Sequence, residues 1–542
     1  MSGETVLVLG GYGGFGARVA VLLARDGFDV VVAGRSAAKA KAFCERHPDL
    51  PMRPLALDRA DGLGGERPWL AVDAAGPFQD MDYRVAEACI AAGCHYFDLA
   101  DGRAFVCGIN RLDLAAKSAG VAIVSGVSSL PALSAAVADR LAAGLDRVSA
   151  IDMALSVGNR ATNGASTVRA ILSYVGRPLP LWRGGAWRRG FGWQEIGKVR
   201  FALPGRRPLR KRVALCDVPD LALLPDRYEG RPAVRFRAGT ELEAENLMLW
   251  LLSWPVRWRL LASLRGLSGL GWRTQRAVGR IGGDRSAMRI VLSGWRGEAA
   301  IRREWTLIAE RGDGLWIPSL AVPLLARKLA AGLQAGARTA AGCLELADYE
   351  RAFVPFALTA AVAETRPAPL YARIMGADFA ALAPAVRALH QVNADLAASG
   401  RARVVRGRGL LARAIGRLFS FPPAGEEVPV SVWMREEDGV ETWRRDFGGR
   451  GFESRLSRRG DLLVERFGAV RFAMALRREP DGLSMPFRRW WIGPLPMPNF
   501  LLPRGTAREY EADGRFHFDV PIALPLVGPL VHYKGWLEPA DR

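Results

Sequence analysis

The spacing of apolar residues changes along the chain, and each change predicts a different architecture. Over the first 130 residues the apolar positions come as short unbroken runs, Val6-Leu-Val-Leu9, Val30-Val-Val-Ala33, Leu55-Ala-Leu57 and Leu70-Ala-Val72. They read as buried strands of an α/β sheet, with a helix at 17–26 after the first. Between 149 and 309 the runs give way to alternations, at 149–157, 197–203, 233–237, 288–295 and 300–309, that suit a sheet with one covered face. Residues 167–174 have helical spacing and are entered through a turn at Asn163-Gly-Ala-Ser. Residues 359–369 read as a linker by composition, and helices are predicted at 379–397 and 410–419. After Pro422 a period of two with glycine turns takes over, at 428–433, 440–447, 462–467, 470–476, 515–520 and 530–536. Such a meander either curves into a barrel around an apolar ligand or forms a sandwich with a filled core.

The first strand runs into Gly10-Gly-Tyr-Gly-Gly-Phe-Gly16. Gly11, Gly13 and Gly16 have the spacing a pyrophosphate needs: one for the tight turn, one for close backbone approach, one to let helix and strand touch. Tyr12, Gly14 and Phe15 complete the loop, and the helix that follows offers free N–H groups and its positive dipole end to the phosphates. This predicts a dinucleotide-binding Rossmann domain. At the end of the second strand, where an NAD-selective site places an acid, stand Arg35, Ser36 and, one turn on, Lys39. That set suits a 2′-phosphate, so the expected cofactor is NADP, with NAD the alternative. Asp58, ending the third strand, is a candidate for the adenine, and Ala75-Gly76-Pro77-Phe78 after the fourth lets backbone approach the ribose and nicotinamide.

These motifs, with Gly93-Cys-His-Tyr-Phe-Asp-Leu-Ala-Asp-Gly-Arg103 and Ser125-Gly-Val-Ser-Ser-Leu-Pro-Ala-Leu133, resemble those of the saccharopine dehydrogenase-like oxidoreductases. The resemblance implies an α/β Rossmann domain at 1–130, an inserted α+β substrate and dimerisation domain at 131–315, and a return segment at 316–355 packing on the first domain. Residues 370–542 resemble, at Leu370-Tyr-Ala-Arg-Ile-Met375, Glu441-x-Trp443-x-Arg445 and Tyr533-x-Gly-Trp-Leu537, a bacterial C-terminal domain of uncharacterised function, here expected to be mainly antiparallel β with one or two helices. The family handles amino-acid-derived imines in some members and lipids in others. Trp182, Trp187, Trp193, Trp254 and Trp258 suggest an apolar domain surface and so favour a hydrophobic or lipid-linked substrate. The alternatives are an amino-acid-derived imine, or a non-catalytic NADP-binding scaffold or regulator.

Hydride transfer to a carbonyl or imine needs a proton donor near the reacting atom. The loop after the fifth strand lies where open α/β sheets bind ligands. Tyr96 and Asp98 are its candidate proton relay, with Arg103 placed to fix a carboxylate or orient Asp101; the competing reading is a core tyrosine and a structural Asp–Arg clamp. Short-chain dehydrogenase chemistry is set aside, because none of the nine tyrosines is followed four residues later by lysine.

Composition narrows the partners. At 542 residues the chain holds about three domains. Its net charge of +20 rests on 75 basic residues of which seven are lysine, and no basic block is joined to stacking aromatics, so no nucleic-acid partner is expected. Six cysteines without a Cys-x-x-Cys pair and five scattered histidines predict no metal site, and reduced thiols with no basic leader predict a cytoplasmic protein. Residues 246–265 are an apolar run too short to span a bilayer, broken at Pro255 and followed by Trp interleaved with Arg. They read as a helix in the inner face of the membrane, or as a helix pair covering the substrate domain or making a homodimer contact.

Overall fold

The computed structural model describes residues 3–159, 165–279, 281–419 and 421–540. Seven parallel strands build the first sheet, in the spatial order Gly336–Thr339, Ala122–Ser125, His95–Asp98, Leu70–Asp73, Thr5–Leu9, Asp29–Gly34, Met52–Ala56. Val6, Leu7, Val8 and Leu9 are all at most 1% exposed, since both faces are covered. Val6 and Val8 pack with the helices Gly14–Arg25 and Ile317–Ala330, Leu7 and Leu9 with Arg84–Ala92 and Arg103–Gly108. That two-sided burial is why the strands read as unbroken runs. The first helix starts at Gly14, earlier than its spacing predicts, because the glycine loop supplies its first turn. Arg327 ties the returning helix to Asp26, 2.6 Å away, and Ser319 Oγ donates to the Phe15 carbonyl at 3.2 Å.

The second sheet has the order Gly197–Phe201, Leu209–Leu215, Ala233–Thr240, Arg147–Val157, Ser286–Arg296, Ala299–Ala309, Leu358–Thr365, with only Ala233–Thr240 and Arg147–Val157 parallel. The expected linker at 359–369 is therefore corrected: most of it is the edge strand of this sheet. Its small side chains are half-buried or exposed throughout, which hides the alternation of a strand. The expectation of one covered face is corrected too. Leu155, Phe236, Met288 and Leu307 face a cavity shared with the first domain, and Asp152, Arg235, Arg289 and Glu304 face the C-terminal domain across a charged cleft. Helix Ala165–Tyr174 follows the first strand; Asn163 and Gly164, expected to lead into it, lie outside the described residues.

In the C-terminal domain the single helix expected at 379–397 is corrected to two short ones, Ala377–Ala380 and Pro384–His390, preceded by a third, Leu370–Met375. Gly376 at φ +60 and Pro384 break the path, and Asp395 already opens a strand. Ten antiparallel strands then close on themselves, from Asp395–Arg406 to Gly528–Pro539, with the ring completed where Val470–Ala475 pairs Gly482–Ile492. The domain is a barrel. It docks on the second sheet through Asp152, which forms ion pairs with Arg235, Arg237 (3.2 Å) and the barrel's Arg435 (3.3 Å), while the barrel's Glu437 stands 2.9 Å from Arg235. Burial opposes the charge on Asp152, but the arginines outweigh it and hold the carboxyl well below the usual range. Asn393 Nδ2 donates to the Gly294 carbonyl at 2.6 Å alongside.

Candidate functional site

The strand order reverses between Thr5–Leu9 and Leu70–Asp73, and there the carboxyl ends open into a cleft of about 670 Å³. Gly10, Tyr12, Gly13, Gly14, Phe15, Arg35, Asp58, Ala75, Gly76 and Pro77 line it. Gly11 and Gly16 lie behind the surface and serve packing. A Cβ on Gly11 would stand 2.8 Å from the Val8 carbonyl oxygen, and one on Gly16 would collide with that of Gly10. The Gly13 N–H donates to the Gly10 carbonyl at 2.8 Å, closing the loop. Tyr12 lies over Gly34, where a Cβ would meet its ring at 2.5 Å, and its hydroxyl accepts from the Ser36 N–H at 3.0 Å. Ser36 Oγ accepts from the Lys39 N–H at 3.3 Å and so caps the helix Ala37–Glu45, which leaves Arg35 as the member of the set that lines the cleft; Lys39 is exposed outside it. Arg35 has no hydrogen-bond or ion-pair partner among the described residues. Asp58 accepts from the Ala60 N–H at 2.9 Å as a turn cap, and Phe78 is buried against Phe105.

Arginines that no motif marked complete the cleft: Arg18, Arg59, Arg84 and Arg169. Arg59 is fixed to Asp73 at 2.7 Å, and Arg84 to Asp82 at 2.6 Å. Arg169 reaches in from helix Ala165–Tyr174 of the second domain, more than a hundred residues from the glycine loop, and a reading of the first domain alone does not find it.

The candidate relay separates. Tyr96 is fully buried within the layer containing Leu7 and Leu9. Asp98 Oδ1 accepts from the Gly126 N–H at 2.8 Å, the Ala100 N–H at 3.0 Å and Ser125 Oγ at 3.0 Å, tying the ends of neighbouring strands together; burial pushes the carboxyl up to about 7. Neither residue lines the cleft or the cavity beside it. Asp101 does line that cavity, accepting from Gln79 Nε2 at 3.0 Å, and burial raises it. Arg103 turns away from Asp101, pairs with Asp217 and donates to the Pro180 carbonyl at 2.7 Å, so it clamps the first domain to the second.

The cavity holds about 260 Å³ and shares Phe15, Thr167 and Leu315 with the cleft. Leu99, Leu155, Trp193, Phe236, Met288 and Leu307 form its walls. Asp101 and Asp217 are the charged side chains among its described lining residues, which include no Lys, Arg or His. Tyr174 also lines it, with burial pushing its hydroxyl well up. Tyr174 and Asp217 were not marked by sequence, because each becomes part of a site only when the second domain closes over the first. Trp193, read as part of an apolar surface, is 1% exposed and donates through Nε1 to the Asn246 carbonyl at 3.1 Å.

Residues 6–124 match the family described as the saccharopine dehydrogenase NADP binding domain, and residues 382–537 match a domain of unknown function, DUF4166. Among solved structures, apo saccharopine dehydrogenase (L-Glu forming) from Saccharomyces cerevisiae is 11% identical, with a TM-score of 0.48 over 67% of this chain and 100% of that one. GenD2 from gentamicin A biosynthesis, in complex with NAD, is 15% identical, with a TM-score of 0.30 over 55% of this chain and 71% of that one. No curated protein matches the sequence.

Proposed function

We propose an apolar, lipid-like substrate for this chain, an NAD(P)-dependent oxidoreductase that carries a saccharopine dehydrogenase NADP-binding domain and a separate C-terminal DUF4166 domain. The observation that carries the proposal is the lining of the cavity beside the nucleotide cleft. A substrate bearing several carboxylates would meet Asp101 and Asp217 there and no cationic side chain among the described residues. An aliphatic substrate meets leucine, tryptophan and methionine walls, with Asp101, whose carboxyl burial raises above the usual range, as the group that exchanges a proton with the reacting oxygen.

The bound cofactor supplies the hydride. The chain's residues hold it: the N–H groups at the start of Gly14–Arg25 face the pyrophosphate, and the free guanidinium of Arg35 takes the 2′-phosphate. Arg35→Asp is expected to weaken NADPH binding by about 1.5–3 kcal/mol, roughly 10- to 150-fold, while NADH binding holds or improves. Titration of protein fluorescence with each nucleotide checks this, and an equal loss for both would remove Arg35 from the 2′-phosphate. Oxidation of NADPH should appear with neutral lipid extract and not with mixtures of 2-oxo acids and amines. Turnover with the latter would establish the imine reading, and tight binding with no turnover in either would establish the scaffold.

The insert supports delivery from a membrane surface. Helix Glu243–Arg257 and the segment after it expose Leu251 (60%), Trp258 (63%) and Leu260 (73%), while no helix among the described residues is long and apolar enough to cross a bilayer. Asn246 is buried and bonds the Thr240, Leu242 and Arg212 carbonyls, so point changes probe this face better than deletion. The triple change Leu251→Glu, Trp258→Glu and Leu260→Glu is expected to abolish flotation with anionic liposomes and leave NADPH binding intact; flotation that persists would assign the insert to a protein contact.

A further inference from the structure

Helices pack against both ends of the barrel and leave its middle open. At one end the short helices pack inward, with Tyr371 stacked on His390 (3.7 Å between ring centres) and His390 against Phe516. At the other end, helix Leu410–Leu418 turns Ile415 inward beside Leu524 and Leu530, and leaves Leu410, Leu411 and Leu418 exposed. Between them remains a cavity of about 290 Å³, far more than the gaps left by ordinary interior packing. A chain of ring contacts runs along its wall, from Phe447 to Phe452, Phe467, Phe472 and Phe487, each 5.4–6.4 Å from the next.

The polar groups in this wall are of two kinds. The charged ones are paired among themselves: Arg445 stands 3.2 Å from Glu465, with Ser454 bonded to both at 2.7 Å, and Glu509 meets the buried His390 at 2.6 Å. By contrast, the hydroxyls of Tyr371 and Tyr533, which also line the cavity, have no hydrogen-bond partner among the described residues. A carboxylate or phosphate entering here would face two glutamates, with the guanidinium already engaged. An uncharged oxygen finds two free O–H groups at the side of an aromatic tube.

We propose that the barrel binds one long-chain neutral lipid, an alcohol, aldehyde, ketone or ester, with its chain along the phenylalanine wall and its oxygen on Tyr371 and Tyr533. The proposal is independent of the redox reading, since none of these residues lines the nucleotide cleft or its neighbouring cavity.

The test titrates the full chain with parinaryl alcohol, a fluorescent polyene alcohol, and with parinaric acid at a pH where it is ionised. The expected result is saturable binding of one alcohol per chain, displaced by hexadecanol, with the ionised acid at least about tenfold weaker. Val520→Trp, which fills the cavity from a half-buried wall position, abolishes binding, and Tyr533→Phe weakens it about tenfold with unchanged thermal melting. Tyr533→Phe decides the matter if the larger substitution lowers the melting temperature. Absence of saturable binding, an acid bound as tightly as the alcohol, or affinity unchanged in Tyr533→Phe would overturn the proposal. NADPH titration of the same samples reports separately on the Rossmann domain.

Discussion

Arg59→Met is expected to lower the stability of the Rossmann domain at pH 7 by about 3–5 kcal/mol, the usual cost of stranding one partner of a buried ion pair. Asp73 is fully buried at the end of the strand beside the nucleotide cleft, and its charge is met by Arg59 at 2.7 Å and the Ala75 N–H at 3.0 Å. Burial already raises the Asp73 carboxyl against the pull of Arg59, and without the guanidinium it rises further. The sign of the pH dependence follows. An aspartate whose folded pKa lies above its unfolded value binds more protons when folded, so stability grows as pH falls through the raised pKa toward about 4. The deficit of the variant should therefore be largest at neutral pH and shrink by pH 5. Urea denaturation at both pH values measures it, and a deficit that is small or constant would mean that Asp73 does not carry a charge in the native protein. Because Arg59 also lines the cleft, the variant should bind NADPH more weakly as well.

Gly16→Ala is expected to abolish NADPH binding while the chain still folds. The added methyl would collide with the backbone of Gly10, the residue whose φ of +74 makes the turn, and stand 3.2 Å from the Ala74 Cβ. Backbone on that side cannot yield as a side-chain tip can, so the helix must move away from the strand, at an overpacking cost of about 1–3 kcal/mol. Moving it withdraws the N–H groups proposed to face the phosphates, and the loss of affinity should exceed about 100-fold, equivalent to about 2.7 kcal/mol. Gly14→Ala is the control for stability: a Cβ there meets nothing within 4 Å, the residue begins the helix, and alanine should stabilise it by up to about 1 kcal/mol. Retention of full NADPH affinity in Gly16→Ala would place the dinucleotide elsewhere.

Local chemistry made the first domain readable. A strand buried on both faces must be apolar at every position, and a turn must be glycine where backbones touch, so Val6 to Gly16 declares its own architecture. The position of Arg35 on the cleft was legible because it follows the end of the second strand. Features that arise when distant segments meet were not. Tyr96 and Asp98 sit on a strand near the binding edge, but the face of Tyr96 became the covered one only when helices Arg84–Ala92 and Arg103–Gly108 closed over it. Asp217, Tyr174 and Arg169 reach their sites from the second domain. The edge strand Leu358–Thr365 lacks an apolar face and so resembled a tether. Barrel closure depends on one pairing, Val470–Ala475 with Gly482–Ile492, whose residues look like any other hairpin.

The two-faced second sheet has a consequence for traffic through the molecule. One layer of backbone separates the apolar hollow above the nucleotide cleft from the ionic seam on which the barrel rests, and the linings of hollow and barrel share no residue. These are two rooms with a charged wall between them and no lining residue in common. A greasy molecule that visits both has to step outside to do so, into water or a bilayer, where a competing acceptor can intercept it.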